Sequence, residues 1–265
     1  MAKRAFLVGI NNYANPDFAL RGCTHDVDSL RAVLIDLYGF LNEDIKICND
    51  ATATRASILG SLEDLLNGAS NGDQLVFGYS GHATRIVTSD ISGHPDGKID
   101  AIVPFEASFA SLITSAELFR AITAKIVAPT IGFTAIYDCC HSGNLIRDIV
   151  SDSSGNLIVA VKNRFIDIPL PVDLPLNKDI EIGPYNEFSA CLDSETAADL
   201  LNVPGEKNPR GAFSYALHTI MRQQGAKIKI SDLDRLTLPL IKKVSPNHAQ
   251  TPVFHAVDKD GNVFG

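Results

Sequence analysis

No stretch of this sequence reaches about 18 consecutive apolar residues, so no segment is long enough to cross a bilayer as a helix. The apolar run after Lys3-Arg4, from Ala5 to Ile10, is too short for the core of a signal peptide and reads as a first buried strand. A basic tract is also missing. Lys and Arg number 23 against 31 Asp and Glu, a net charge of −8, which argues against nucleic acid as the partner and leaves a cationic substrate open. The five cysteines are odd in number, two of them are adjacent, and no C-x-x-C pair is present. That is a poor framework for disulfides or zinc, and it favours free thiols in a reducing compartment, so a cytoplasmic location is expected. No G-x-x-x-x-G-K-[ST] loop follows Gly78 or Gly81, which removes the phosphate-cradle reading of these glycines. Internal repeats and low-complexity tracts are absent, and the lack of tryptophan carries no functional message.

What remains is a chain of 265 residues with 45% hydrophobic and 20% charged content, ample for a buried core. Short apolar runs alternate with amphipathic stretches. Strands are predicted over Arg4–Ile10, Asp44–Cys48, Gln74–Tyr79, Thr130–Tyr137, Glu187–Cys191 and Thr251–Val257. Helices are predicted over Asp26–Leu37 with Gly39 as its stop, after a Thr54 cap, over Ser115–Val127, and around Phe213–Met221. A last one is capped by Ser231 and bent or ended by Pro239. This alternation predicts an α/β fold, a three-layer sandwich with a mostly parallel central sheet and helices on both faces. Residues 151–183 break the pattern with the turn Ser153-Ser154-Gly155-Asn156 and three prolines, and read as a hairpin followed by an exposed connector. The expected organisation is a large portion over 1–150, this connector, and a smaller portion over 184–265 completing the same domain.

Two strand ends carry chemistry. One runs Val76-Phe77-Gly78-Tyr79-Ser80-Gly81-His82-Ala83, the other Ala135-Ile136-Tyr137-Asp138-Cys139-Cys140-His141-Ser142-Gly143. Ligands of open α/β sheets bind beyond the carboxyl ends of strands. Side chains two apart face the same way, so Ser80 pairs with His82 and Asp138 with Cys140, while Cys139 and His141 face away. If the strands are neighbours, His82 meets Cys140, and an imidazole beside a thiol makes a nucleophile. The two residues stand roughly 60 positions apart, near the roughly 50 of caspase-type enzymes.

Tyr79-Ser80-Gly81-His82 and Asp138-Cys139-Cys140-His141-Ser142-Gly143 resemble the signature motifs of metacaspases and bacterial caspase-like peptidases. Leu20-Arg21-Gly22-Cys23-Thr24-His25-Asp26, Ser189-Ala190-Cys191 and Gly211-Ala212-Phe213-Ser214-Tyr215-Ala216-Leu217 extend the likeness. The resemblance implies a cysteine endopeptidase with Cys140 as nucleophile and His82 as its proton-transfer partner. It also implies an oxyanion hole from the backbone N–H groups of Ala83 and Cys140. The primary specificity pocket would be lined by Cys23, Asp26, Ser80 and Asp138, and two carboxylates there favour cleavage after Arg or Lys. The expected partner is therefore a peptide or protein with Arg or Lys before the scissile bond, and relatives of this kind imply a monomer. Lys162, Arg164 and Lys178 in the connector are candidates for self-cleavage, because exposed loops are where chains are nicked.

Two departures matter. Ala83 replaces the family's usual Gly, and alanine tolerates positive φ poorly. If positive φ is needed, an inactive caspase-like scaffold becomes the alternative function. Many metacaspases use calcium. Asp96 and Asp100 lie in the corresponding region, but Thr114-Ser115 and Arg147 replace further acids, with Asp148 nearby, so calcium dependence is expected to be weak or absent. Asp193 reads equally as a cleft residue or a turn. The same dyad also permits acyl transfer to an amine instead of water.

Overall fold

In chain order the strands are β1 (Lys3–Gly9), β2 (Ile45–Asn49), β3 (Gln74–Ser80), β4 (Ala83–Val87), β5 (Lys98–Ile102), β6 (Ile113–Thr114) and β7 (Gly132–Asp138). They continue with β8 (Ile149–Ser151), β9 (Leu157–Val159), β10 (Val161–Asn163), β11 (Asn186–Ser189), β12 (Ala198–Leu200), β13 (Arg210–Gly211) and β14 (Val253–His255). The helices are α1 (Cys23–Tyr38), α2 (Arg55–Leu66), α3 (Ser115–Thr123), α4 (Ala212–Gln224) and α5 (Ile230–Val244). The computed structural model describes residues 1–87, 98–128, 130–140, 149–151, 157–159, 161–168 and 183–264. The turn at 153–156, the prolines at 169, 171 and 175, and Asp96, His141, Ser142, Gly143, Arg147, Asp148 and Lys178 lie outside the described residues.

The main sheet has the order β14-β11-β7-β3-β1-β2. Its strands are parallel except β14, which runs antiparallel to β11. Strand alternation divides the core into two layers. Ala5 and Leu7, Val76 and Ile136 face one way and pack with Leu30 and Leu34 of α1, Phe213 and Leu217 of α4, and Leu233 of α5. Phe6 and Val8, Phe77 and Phe133 face the other way, onto Ile58 and Leu62 of α2 and Leu118 and Ile122 of α3. This is the α/β sandwich expected from the alternation of elements. No helix among the described residues is long and apolar enough to cross a membrane.

The local signals acted largely as their chemistry demands. Thr54 caps α2 by accepting from the N–H of Ser57, and Gly39 ends α1 in a left-handed conformation with φ of 70°. Thr114 and Glu117 form a capping box that starts α3. Two expectations fail. Helix α5 starts at Ile230, with Lys229 rather than Ser231 at its cap. It also continues through Pro239 rather than ending there, because that residue is exposed while Leu233, Thr237 and Ile241 bury the opposite face. The carbonyl that loses its partner to proline can then turn toward water. Helix α1 begins earlier than expected, at Cys23, which brings both Cys23 and Asp26 into its first turn.

Candidate active site

Strands β3 and β7 are neighbours with Ser80 opposite Asp138, and the Gly81 N–H donates to the Asp138 carbonyl at 3.3 Å. Both motifs therefore emerge at one edge of the sheet. Ser80 and Asp138 fall on the α1/α4 side, where Asp26 arrives from the start of α1. Cys140 also packs on that side, and Cys139 packs in the opposite layer. Gly81 has to be glycine for lack of space: a Cβ there would lie 2.7 Å from the Tyr79 hydroxyl and 2.8 Å from that of Tyr13.

The centre of the acidic cluster is occupied by Arg164, which is 0% exposed. Its Nη2 donates to Asp26 at 2.7 Å and Asp199 at 2.9 Å; its Nη1 donates to Ser80 Oγ at 2.7 Å and lies 3.1 Å from Asp138 Oδ1. The expectation that Arg164 sits in an exposed connector is overturned. Three carboxylates together outweigh the cost of removing one guanidinium from water, which a single partner rarely does. The backbone is held too. Strand β10 pairs antiparallel with β12, and the Arg164 N–H donates to the Ala197 carbonyl at 3.1 Å. Lys162 in that strand is half-buried and donates from Nζ to the Ala19 carbonyl at 2.8 Å.

Each carboxylate is also gripped by backbone N–H groups at a helix start. Asp26 accepts from Gly211 N and from Arg210 Nε, Asp138 from Ser214 N at 3.0 Å, and Asp199 from Arg21 N and Gly22 N. Oriented N–H groups at the N-termini of α1 and α4 hold negative charge, and the charges hold the guanidinium. Burial raises the pKa of the Asp138 carboxyl, against the pull of Arg164. Burial alone would lower that of Arg164, but Asp138, Cys23, Asp26 and Asp199 outweigh it and raise it. The Cys23 thiol is pushed up by burial, and Arg164 is its main opposing neighbour.

The peptide that follows is aimed at the two motif residues. The Arg164 carbonyl accepts from the Ala83 N–H at 2.9 Å and from the Cys140 N–H at 3.4 Å. Cys140 Sγ accepts from the Ala197 N–H at 2.8 Å. Burial raises the Cys140 thiol well above its ordinary range, and N–H groups of Ala197 and Arg164 partly oppose this. His82 also lies against the Arg164 backbone. Its ring faces Tyr13 at 5.1 Å between centroids, and its Nε2 is 2.8 Å from the Phe18 carbonyl. A carbonyl can only accept, so Nε2 carries the proton and Nδ1 is left as an unprotonated lone pair. That Nδ1 is buried and has no hydrogen-bond partner among the described residues. Burial lowers the His82 pKa to about 4, with backbone contacts to Phe18 and Arg164 opposing.

Residues 3–148 match the family model of the metacaspase, peptidase C14 domain. This chain belongs to the metacaspase family. It is 29% identical to Metacaspase-1 of Kluyveromyces lactis over 97% of its own length and 67% of that protein's. It is 30% identical to Metacaspase-1 of Schizosaccharomyces pombe over 83% and 60%. The chain thus spans about two thirds or less of these relatives. Among solved structures, a Geobacter sulfurreducens protein aligns with a TM-score of 0.66 at 18% identity, covering 96% of this chain and 93% of its own. Caspase-1 of Spodoptera frugiperda aligns at 0.60 and 14%, covering 99% and 89%. Likenesses this remote in sequence speak for the fold.

In this metacaspase Ala83 opens strand β4 and is not among the residues with positive φ, so alanine meets no strain there. The objection raised by the missing glycine is removed. Asp193 is 84% exposed in its side chain and lies outside the acidic cluster, 3.9 Å from Arg85. Sequence reasoning missed Asp199, Gly211 and Tyr13. Asp199 had a legible signal, a lone acid within the apolar run Ala197-Ala198-Asp199-Leu200-Leu201. Gly211 did not: a Cβ there would stand 2.2 Å from Asp138 Oδ2, so only glycine leaves room for the guanidinium. Tyr13 accepts the His82 backbone N–H at 2.7 Å, a contact between loops that no local pattern announces.

Two of the described residues considered for calcium are otherwise engaged. Asp100 is engaged by Arg85 Nε at 2.9 Å, and Thr114 spends its hydroxyl on the cap of α3. A guanidinium already supplies the positive charge at that carboxylate.

Proposed function

We infer that this chain is a cysteine endopeptidase cleaving after Arg or Lys, that Cys140 and His82 carry the reaction, and that Arg164–Phe165 is its own first scissile bond. One observation carries the reading: a single residue places its guanidinium among Asp26, Asp138 and Asp199 and its carbonyl on the N–H groups of Ala83 and Cys140. That is how a substrate's residue before the cut must lie. His82 Nδ1 takes the thiol proton, and Sγ attacks the Arg164 carbonyl carbon. The oxygen gains charge where the two N–H groups already point. The imidazolium then returns the proton to the Phe165 nitrogen, leaving a thioester on Cys140 that water hydrolyses. Both terminal nitrogens of Arg164 are used, a fork that a lysine ammonium cannot reproduce, so Arg should be preferred.

Peptides ending in Arg, Lys or Asp, offered to the self-cleaved protein with and without calcium, test this reading. Arg should lead, Lys should follow, and Asp should be inert because three acids repel it. Calcium should change the rates by less than about two-fold, since Asp100 already has its cation. Cleavage after Asp would end the reading.

The acid limb of self-cleavage should fall near pH 4. The neutral imidazole is the working form, and His82 is held neutral down to about pH 4 while the Arg164 peptide covers it. The rate therefore drops only as pH falls through that value. An acid midpoint near the ordinary histidine value of about 6.5, read from the rate of chain breakage between pH 3.5 and 8, would show that the ring is solvated before it acts.

A further inference from the structure

The residues after the proposed scissile bond are held in place as well. The Ile166 N–H donates to the Ala83 carbonyl at 3.1 Å, and Phe165 bridges Ala83 in parallel. Ile166 and Ile168 are only 8% and 5% exposed and pack into the apolar layer that holds Tyr13, Tyr79 and Ile86. The intervening Asp167 is exposed, so alternate side chains of this segment are buried. Ala83 thus touches both halves: its N–H holds the Arg164 carbonyl and its C=O holds Ile166.

We propose that this site is also a peptide ligase toward its own chain, rejoining Arg164 to Phe165 through the thioester faster than water opens it. The inference rests on the peptidase reading above. When the Arg164–Phe165 bond breaks, the Phe165 amine does not diffuse away, because the next residue, Ile166, stays pinned to Ala83. The balance is closed: Cys140 Sγ displaces the amine and forms the thioester, then the amine displaces Sγ, the amide returns and His82 shuttles the proton. A nucleophile kept in line at the carbonyl reaches effective molarities of about 10^5 M or more, far above the concentration of water. Only the neutral amine attacks, and an α-amine titrates at about 7.7–8.0, so rejoining strengthens as pH rises through that range. Net self-cleavage is then set by release of the segment 165–168 and only secondarily by the chemistry.

Hydroxylamine tests this, because it is small enough to reach the thioester and cannot be displaced back by a tethered strand. Intact protein at pH 8.5 is followed by denaturing mass spectrometry, which counts the chain as broken once the thioester forms. Without rejoining, the trap cannot hasten breakage; with it, breakage should accelerate at least about five-fold and leave Arg164 as a hydroxamate. An Ile166→Ser, Ile168→Ser double variant should break faster than the parent without hydroxylamine and gain little from it. A parent whose breakage is unchanged by hydroxylamine overturns the ligase proposal and leaves the peptidase reading standing; one that never breaks at this bond while hydrolysing an Arg-ending reporter peptide overturns both the ligase proposal and Arg164–Phe165 as the scissile bond, and leaves only Arg-directed hydrolysis standing. Failure to hydrolyse the reporter at all fells the peptidase reading, and this proposal with it.

Discussion

Cys140→Ala should leave a folded protein that neither breaks the Arg164–Phe165 bond nor hydrolyses an Arg-ending peptide, a loss of at least about 10^4-fold. His82→Ala should lose nearly as much, because residues that act as a unit are not additive and the double variant should be no worse than either alone. The effect has to be separated from misfolding. Cys140 Sγ accepts the Ala197 N–H, so its removal leaves that donor without its partner and should cost about 1 kcal/mol. The Arg164 fork and the pairing of β10 with β12 are untouched by the change. A thermal midpoint within a few degrees of the parent, together with absent cleavage measured by mass spectrometry, is the expected result. A Cys140→Ala protein that still cleaves would show the nucleophile to be elsewhere.

Arg164→Gln is expected to have the second large effect, on stability. It leaves Asp26, Asp138 and Asp199 facing one another with only Arg210 at the edge of the cluster. Removing one partner from a buried charge cluster costs about 3–5 kcal/mol, because the remaining charges are neither solvated nor paired. The variant should also lose self-cleavage at this position. Its distinguishing property is rescue. A small guanidinium compound such as agmatine fits the space bounded by Gly211 and should restore much of the lost stability, about 2.7 kcal/mol when present at 100 times its dissociation constant. The parent, whose pocket is filled, should gain almost nothing under the same conditions. Thermal melts of both proteins with and without agmatine measure this. A variant as stable as the parent, or one that agmatine leaves unchanged, would mean that the acids do not form a cation pocket.

The sheet was legible because each strand carried its own period and each helix its own cap. Gln74–Tyr79 and Thr130–Tyr137 read as strands from their apolar runs, and the period of two already placed Ser80 with His82 and Asp138 with Cys140. The structure brings Ser80, Asp138 and Asp26 onto one guanidinium and puts His82 and Cys140 against one peptide. Two readings failed for a common reason. Pro239 reads as a breaker and Arg164 as a solvated loop residue only while each is judged against its immediate neighbours. Burial of the opposite face of α5 overrides the first. Three acids drawn from α1, β7 and β12 override the second.

The sequence by itself determined the α/β architecture and the two motif-bearing strand ends, because periodicity, capping and residue chemistry act over a few positions; the acidic character of the cleft was implied by the resemblance of its motifs to those of metacaspases. The tertiary structure alone decided which cation those acids hold and which peptide lies across the thiol. Arg164 is 138 residues from Asp26, 26 from Asp138 and 35 from Asp199, and no local preference encodes a meeting over such separations. It follows from loop closure and from the free energy of leaving three buried carboxylates without a counter-charge. The same holds for Ala83: its composition raised a doubt about backbone strain, and only the observed extended conformation of β4 could remove it.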